Sequence, residues 1–183
     1  PAKVKTVSER LGERWIMDLS VFVDQPVVVR GNTLRYILVA INVFDRYLYA
    51  YRLVSKEPAV VKTALEKLLS SAPKKPNLIS SDQGMEFQGV VSAYLTKLKI
   101  VQKFKDPSDV NGIGMIDKAI QSLKQRLAQL ATAGGTWASV LPKAVAGMNN
   151  TPKPAVLHGA APKEVRDDSN VQFMLLQDQA KNM

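Results

Sequence analysis

The chain has 183 residues, 46% of them hydrophobic, with 25 Lys and Arg against 16 Asp and Glu and a formal net charge of +9. That is enough for one domain with a real core, two at most, and no apolar run approaches the roughly 18 residues of a membrane span. Cys is absent and His158 is the single His, which excludes disulfide scaffolds and Cys/His zinc sites within the chain. Any metal must be held by oxygen, which favours Mg²⁺ or Mn²⁺. The basic balance suits a polyanionic partner, nucleic acid before others, against the plainer reading of a charge surplus for solubility.

Residues 1–13 read as a flexible basic lead-in, too polar for a signal peptide. With no initiator Met, the chain reads as a fragment of something longer. From Arg14 to Val23 the residues alternate, Trp15, Met17, Leu19, Val21 and Val23 on one face and Ile16, Asp18, Ser20 and Phe22 on the other, which is a strand by period. Residues 24–33, with Pro26 and Gly31-Asn32, read as an excursion or hairpin turn. Strands follow over 34–44 and 47–54, completing a meander. A helix is predicted over 56–72 with Val61, Leu65, Leu68 and Leu69 as its stripe and Pro58 near its first turn. Then come a short strand (77–81), a helix (88–97), a strand (100–104) and a loop over 105–114, rich in Pro, Asp, Asn and Gly. A long helix from about Met115 to Thr132 carries the stripe Ile116, Ile120, Leu123, Leu127 and Leu130. Another helix spans 136–150, kinked at Pro142, followed by loop, a short helix and a tail. Three antiparallel strands followed by strand–helix alternation predict a mixed α/β sheet with helices on its faces.

Three acids stand out by position. Asp18 lies inside a strand, where aspartate is a poor fit and an unpartnered buried charge is costly. Asp82 directly follows the strand 77–81. Asp117 flanks the buried stripe in what reads as the first turn of the long helix. If the two strands are neighbours, Asp18 and Asp82 meet, and the helix delivers Asp117 from the side. Converging carboxylates raise one another's pKa, and a pair of divalent cations removes that conflict in phosphodiester chemistry. Each acid also has an ordinary reading: an edge-strand acid facing water, a helix cap, and a first-turn acid favoured by the helix dipole. Composition and period do not choose among these.

Taken together, "RWIMDLS" (14–20), "LVAINVFDRYLYAYRL" (38–53), "LISSDQGMEF" (78–87), "NGIGMIDKAIQSLKQRL" (111–127), "W…L…NNTP" (137–152) and "GAAPKEV" (159–165) resemble the catalytic core of the retroviral integrase and DDE/D transposase superfamily. The resemblance covers roughly 14–167, leaving 168–183 as a tail or the start of a linker. It implies an RNase H-like fold with a five-stranded mixed sheet flanked by helices. It implies Asp18, Asp82 and Asp117 as ligands of two Mg²⁺ or Mn²⁺ ions per active site, 3′-end processing and strand transfer on double-stranded DNA, a homodimer or higher oligomer, and a setting in a host nucleus or virus-like particle. One departure stands out. The family mostly has Glu at the third position, and here Asp117 takes its place, with Glu86 as the alternative third ligand. In this respect the run resembles integrases of Maverick/Polinton-type elements. Gln83, Asn111, Lys118, Gln121, Lys124 and Gln125 are implied to touch DNA, Gln121 through bases or sugars and the lysines through phosphates. Asp117, Gln121 and Lys124 fall on one helix face at i, i+4, i+7. A decayed or domesticated core that binds without catalysis, and an RNase H-like nuclease acting on RNA–DNA hybrids, are the rival readings. The zinc-binding and basic C-terminal domains usual in integrases are not in this chain.

Overall fold

The computed structural model describes residues 14–105 and 110–181, with the side chains of 110–112 and 179–180 left aside. The lead-in 1–13 and residues 106–109 of the expected loop lie outside it. Five strands form one sheet: β1 (Arg14–Val21), β4 (Tyr36–Asn42), β5 (Leu48–Leu53), β6 (Leu78–Ser81) and β7 (Val101–Phe104), in the order β5-β4-β1-β6-β7. The β1–β4 and β4–β5 pairs are antiparallel, and the β1–β6 and β6–β7 pairs are parallel. This is the RNase H-like mixed sheet expected from the sequence. The excursion is a small hairpin, β2 (Val27–Val29) and β3 (Asn32–Leu34), turning at Arg30 and Gly31. Both turn residues have positive φ, 50° and 80°, the left-handed pair that a two-residue hairpin loop requires.

The alternation along β1 divides its side chains between two cores. Trp15 and Met17 pack with Leu38, Ala40 and Ile79 under α1 (Pro58–Ser71) and α2 (Val90–Lys97), where Val61, Leu65, Leu68 and Leu69 are all buried. Ile16 packs on the opposite face with Ile37, Val39 and Ile41 beneath α3 (Val110–Thr132) and α4 (Trp137–Asn149). On α3 the buried residues are Ile116, Ala119, Leu123 and Leu127, with Ile120 and Leu130 half-covered. A capping box starts α4, Thr136 and Ser139 each accepting from the other's backbone N–H, and the helix continues through Pro142, which sits on its exposed side. Three further helices, α5 (Pro154–Leu157), α6 (Pro162–Asp167) and α7 (Ser169–Lys181), complete the described chain. Residues 169–181 are thus helical, and Leu175 packs with Phe44, Leu157 and Val165 in a third apolar cluster.

Two sequence expectations need correction. The long helix begins at Val110 rather than near Met115, so Asn111, Gly112 and Gly114 are helical residues and not loop. Asp117 therefore lies about two turns inside α3, and no acid occupies the helix's first turn. A dipole-favoured terminal acid no longer explains it, because that effect is confined to the first turn.

Asn149, at the end of α4, is 2% exposed. Its amide accepts the Leu48 N–H at 2.8 Å and donates to the Leu48 carbonyl at 2.9 Å. One side chain thus plays the part of a neighbouring strand at the open edge of the sheet. Truncation would leave two buried backbone groups unpaired, at about 1–3 kcal/mol each. We expect Asn149→Ala to lower the unfolding free energy by about 3 kcal/mol, read as a reduced urea midpoint at unchanged m-value.

Candidate active site

In the parallel pair, Arg14 lies opposite Leu78, Trp15 opposite Ile79 and Ile16 opposite Ser80. Carried two residues further, the same register sets position 82 beside position 18. Asp18, within β1, and Asp82, directly after β6, lie where the parallel β1–β6 ladder ends, and open α/β sheets bind their ligands beyond the C-terminal ends of such strands. Because side chains alternate along a strand, Asp18 shares the face of Ile16, the face covered by α3. Asp117 sits next to the buried Ile116 and is itself exposed. It lies at the helix margin, at the edge of that face.

Asp18 feels the other two carboxylates. Burial pushes the Asp18 carboxyl up to about 6; its hydrogen bond from the Leu19 N–H (2.8 Å) opposes this, and the charges of Asp82 and Asp117 add to the rise. Lys105, which directly follows β7 and is 7% exposed, pulls the other way. Its backbone N–H donates to the Ser81 carbonyl at 2.6 Å, which ties this buried ammonium to the end of β6. Reading the sequence alone missed this cation. The one available signal was a lysine immediately after a predicted parallel strand.

The donor chemistry fits a divalent cation. All three candidate ligands are carboxylates, the hard oxygen donors that Mg²⁺ and Mn²⁺ take. In Asp18 one oxygen is already committed to the Leu19 N–H, and in Asp82 one accepts the Gly84 N–H at 2.8 Å, which leaves each a second oxygen to offer. The half-buried Asp18 charge is disfavoured as it stands, and a neighbouring dication would relieve it. Among the described residues no three His, Cys, Asp or Glu side chains are already gathered closely enough to hold a metal ion.

Glu86, the alternative third candidate, is turned toward Gly84. Its carboxylate folds back over Gly84, so closely that a Cβ on Gly84 would collide with it. The turn after Asp82 runs into a 3₁₀ turn at Met85–Phe87 anchored by the buried Phe87. Of the residues implied to touch DNA, Gln83 is exposed beside Asp82. Gln121 and Lys124 are exposed on α3, on the side of Asp117, whereas Gln125 is exposed further round, in the wall of a hollow with Ser122 and Arg126. Lys124 is partly tethered, donating to the Val21 carbonyl at 3.5 Å and lying 5.3 Å over the Phe22 ring, which in turn stacks on Trp137. Lys118 stands further round the helix, in the wall of a separate cavity. Asn111 falls within α3, and its side chain lies outside the described residues.

No protein-family model matches the chain. Its fold superimposes on the catalytic core domain of BIV integrase with a TM-score of 0.70 at 20% identity, covering 89% of this chain and 99% of that one. This is the fold of a retroviral integrase core. The integrase catalytic core of HTLV-2, in a structure with magnesium, gives a TM-score of 0.67 at 14% identity over 85% of this chain and 97% of that one. In sequence the chain is similar to the Pol polyprotein of Radiation murine leukemia virus (strain Kaplan), 26% identical over 167 residues and 90% of this chain. It is also similar to a transposon-derived protein of Caenorhabditis elegans, 30% identical over 118 residues and 63% of this chain. It spans 27% and 41% of the lengths of those two proteins. Fold and sequence together bear out the resemblance to an integrase core.

Proposed function

We propose that the chain is the catalytic core of a DNA integrase or transposase, acting on double-stranded element ends and on target DNA, with Asp18, Asp82 and Asp117 as its metal ligands. The reading rests on one observation above the rest: the β1–β6 register, carried two residues past its last pair, sets Asp18 beside Asp82, under a helix whose Asp117 is near enough to perturb Asp18. The solved integrase core with magnesium supports the choice of cation by analogy. Divalent cations held by the three aspartates would polarise the scissile phosphate and make an attacking oxygen nucleophilic near neutral pH.

The chain's own groups do the positioning. Lys105 supplies a buried positive charge beside Asp18 and limits carboxylate repulsion at the site. Gln121 and Lys124 extend the Asp117 face along α3, where an amide and an ammonium suit sugar edges and phosphates. The reaction is in-line substitution at phosphorus: water attacks, the 3′-oxygen leaves as a free hydroxyl, and that hydroxyl then attacks a target phosphorus, displacing a second 3′-oxygen. Self-association and a nuclear or particle-bound setting follow from the same reading.

The test is end-labelled blunt duplex DNA incubated with the chain and Mn²⁺. We expect nicking close to a 3′ end that EDTA abolishes, with an RNA–DNA hybrid left intact. Duplex binding without nicking would favour a core that has lost catalysis. Cleavage of the hybrid's RNA strand would favour an RNase H-like nuclease.

A further inference from the structure

A cavity of about 290 Å³ opens on the other side of α3, between that helix, α4, α5 and the start of β5. Its floor is apolar, built from Ile41, Leu48, Ala119 and Met148. Its rim is cationic. Arg46, Lys118 and Lys153 line it, and Arg126 stands with Lys153 at a contiguous hollow along the helix. No acidic side chain lines either space among the described residues.

The wall is built rather than incidental. Arg46 is held at φ 62° in the β4–β5 turn, a backbone state uncommon for a residue with a side chain. Its guanidinium reaches across to donate to the Met115 sulfur. Its Nε is buried without a hydrogen-bond partner among the described residues, and an unmet buried donor of this kind calls for an explanation. Burial lowers the Arg46 pKa and the charge of the neighbouring Asp45 opposes this, but the Asp45 carboxylate accepts from the Tyr47 N–H and no hydrogen bond joins it to the Arg46 Nε. Arg126 is laid against Gly147, where a Cβ would displace it, and donates to Thr151. Asn149, fixed by its paired bonds to Leu48, forms another part of the wall. Burial and the neighbouring charges of Lys118, Arg46 and Arg126 lower the Lys153 pKa. The cations crowd one another, and an anion would relieve them.

We infer that this cavity is a binding site for a small organic anion: an apolar body about the size of one ring, bearing a carboxylate or phosphate that Arg46, Lys118 and Lys153 receive. An apolar pocket with a few convergent polar groups is the usual form of a small-molecule site. Bare phosphate leaves the floor unfilled. A neutral ring leaves the cations crowded. The inference stands apart from the carboxylate site and does not depend on DNA chemistry there.

The probe is phenyl phosphate, titrated into the 183-residue chain and followed by ligand-observed NMR, with inorganic phosphate and benzyl alcohol as the two half-ligands. We expect phenyl phosphate to bind at least about tenfold more tightly than either, and Lys153→Gln to weaken it about tenfold, the loss of one charge-assisted hydrogen bond. Ser122→Phe, which fills the cavity from the exposed side of α3 without removing charge, should abolish binding. Lys103→Gln, an exposed lysine on edge strand β7, should leave it unchanged. Equal binding by Lys153→Gln and wild type, inorganic phosphate as tight as phenyl phosphate, or an equal loss in Lys103→Gln would overturn the site. So would displacement of the probe by short duplex DNA whose own binding is lost in Lys153→Gln, since the trough would then be a nucleic-acid backbone contact.

Discussion

Asp18→Asn is expected to reduce metal-dependent DNA nicking by at least about 100-fold, the scale of losing a preorganised charge-stabilising group, while making the metal-free protein more stable. The two effects share one cause. Asp18 is half-buried, and burial together with Asp82 and Asp117 raises its pKa to about 6. At neutral pH the folded chain therefore carries a charge that its own surroundings disfavour. Asparagine keeps an oxygen for the Leu19 N–H, removes the charge and cannot serve as an anionic ligand. In EDTA the variant's Tm should exceed that of wild type. On addition of Mn²⁺ wild type should rise by mass action and the variant should not. A wild-type Tm indifferent to Mn²⁺ would refute the metal assignment even if nicking were too slow to see.

The second large effect concerns Asp45, in the turn between β4 and β5. It is 1% exposed, accepts the Tyr47 N–H at 2.7 Å, and burial raises its pKa to about 7. The Tyr47 hydrogen bond and the charge of Arg166 oppose the rise, and Asp167 adds to it. Between about pH 4 and pH 7 the folded state keeps a proton that the unfolded chain has released, so stability falls as pH rises through that window. The contribution is full below about pH 4 and lost above about pH 7. At ~1.4 kcal/mol per unit, the change is on the order of 4 kcal/mol across the window. Asp45→Asn keeps the acceptor and does not titrate. The wild-type minus variant difference in urea unfolding free energy should therefore become steadily less favourable to wild type from pH 4 to pH 8. A difference that stays flat with pH would mean that Asp45 ionises normally in the fold.

Local pattern carries far where one face of an element is buried and the other is not. The alternation of 14–23 marked β1 and its two faces, and the stripe from Ile116 to Leu130 marked the buried side of α3. Pattern failed where local chemistry and tertiary packing disagree. Asn111, Gly112 and Gly114 read as loop from the Pro, Asp, Asn and Gly content of 105–114, and glycine costs about 1 kcal/mol in a helix, yet they are helical, directly before Met115 and Ile116, which pack in the core beneath α3. The helix at 169–181 was missed because its apolar residues are spread around it: Leu175 is buried, while Phe173 and Met174 are 60% and 63% exposed.

The sequence by itself determined the mixed sheet and the oxygen-only character of any metal site, because strand period and the absence of Cys need no partner to be read, and it marked Asp18, Asp82 and Asp117 as candidates through the resemblance of their motifs. Only the tertiary structure decided that Asp18 and Asp82 are register neighbours, that Lys105 is buried beside them, and that Arg46, Lys118 and Lys153 rim one cavity. Those facts depend on which strands pair and which helix face turns inward, and residues so far apart in the chain acquire their energies only when the sheet closes beneath α3.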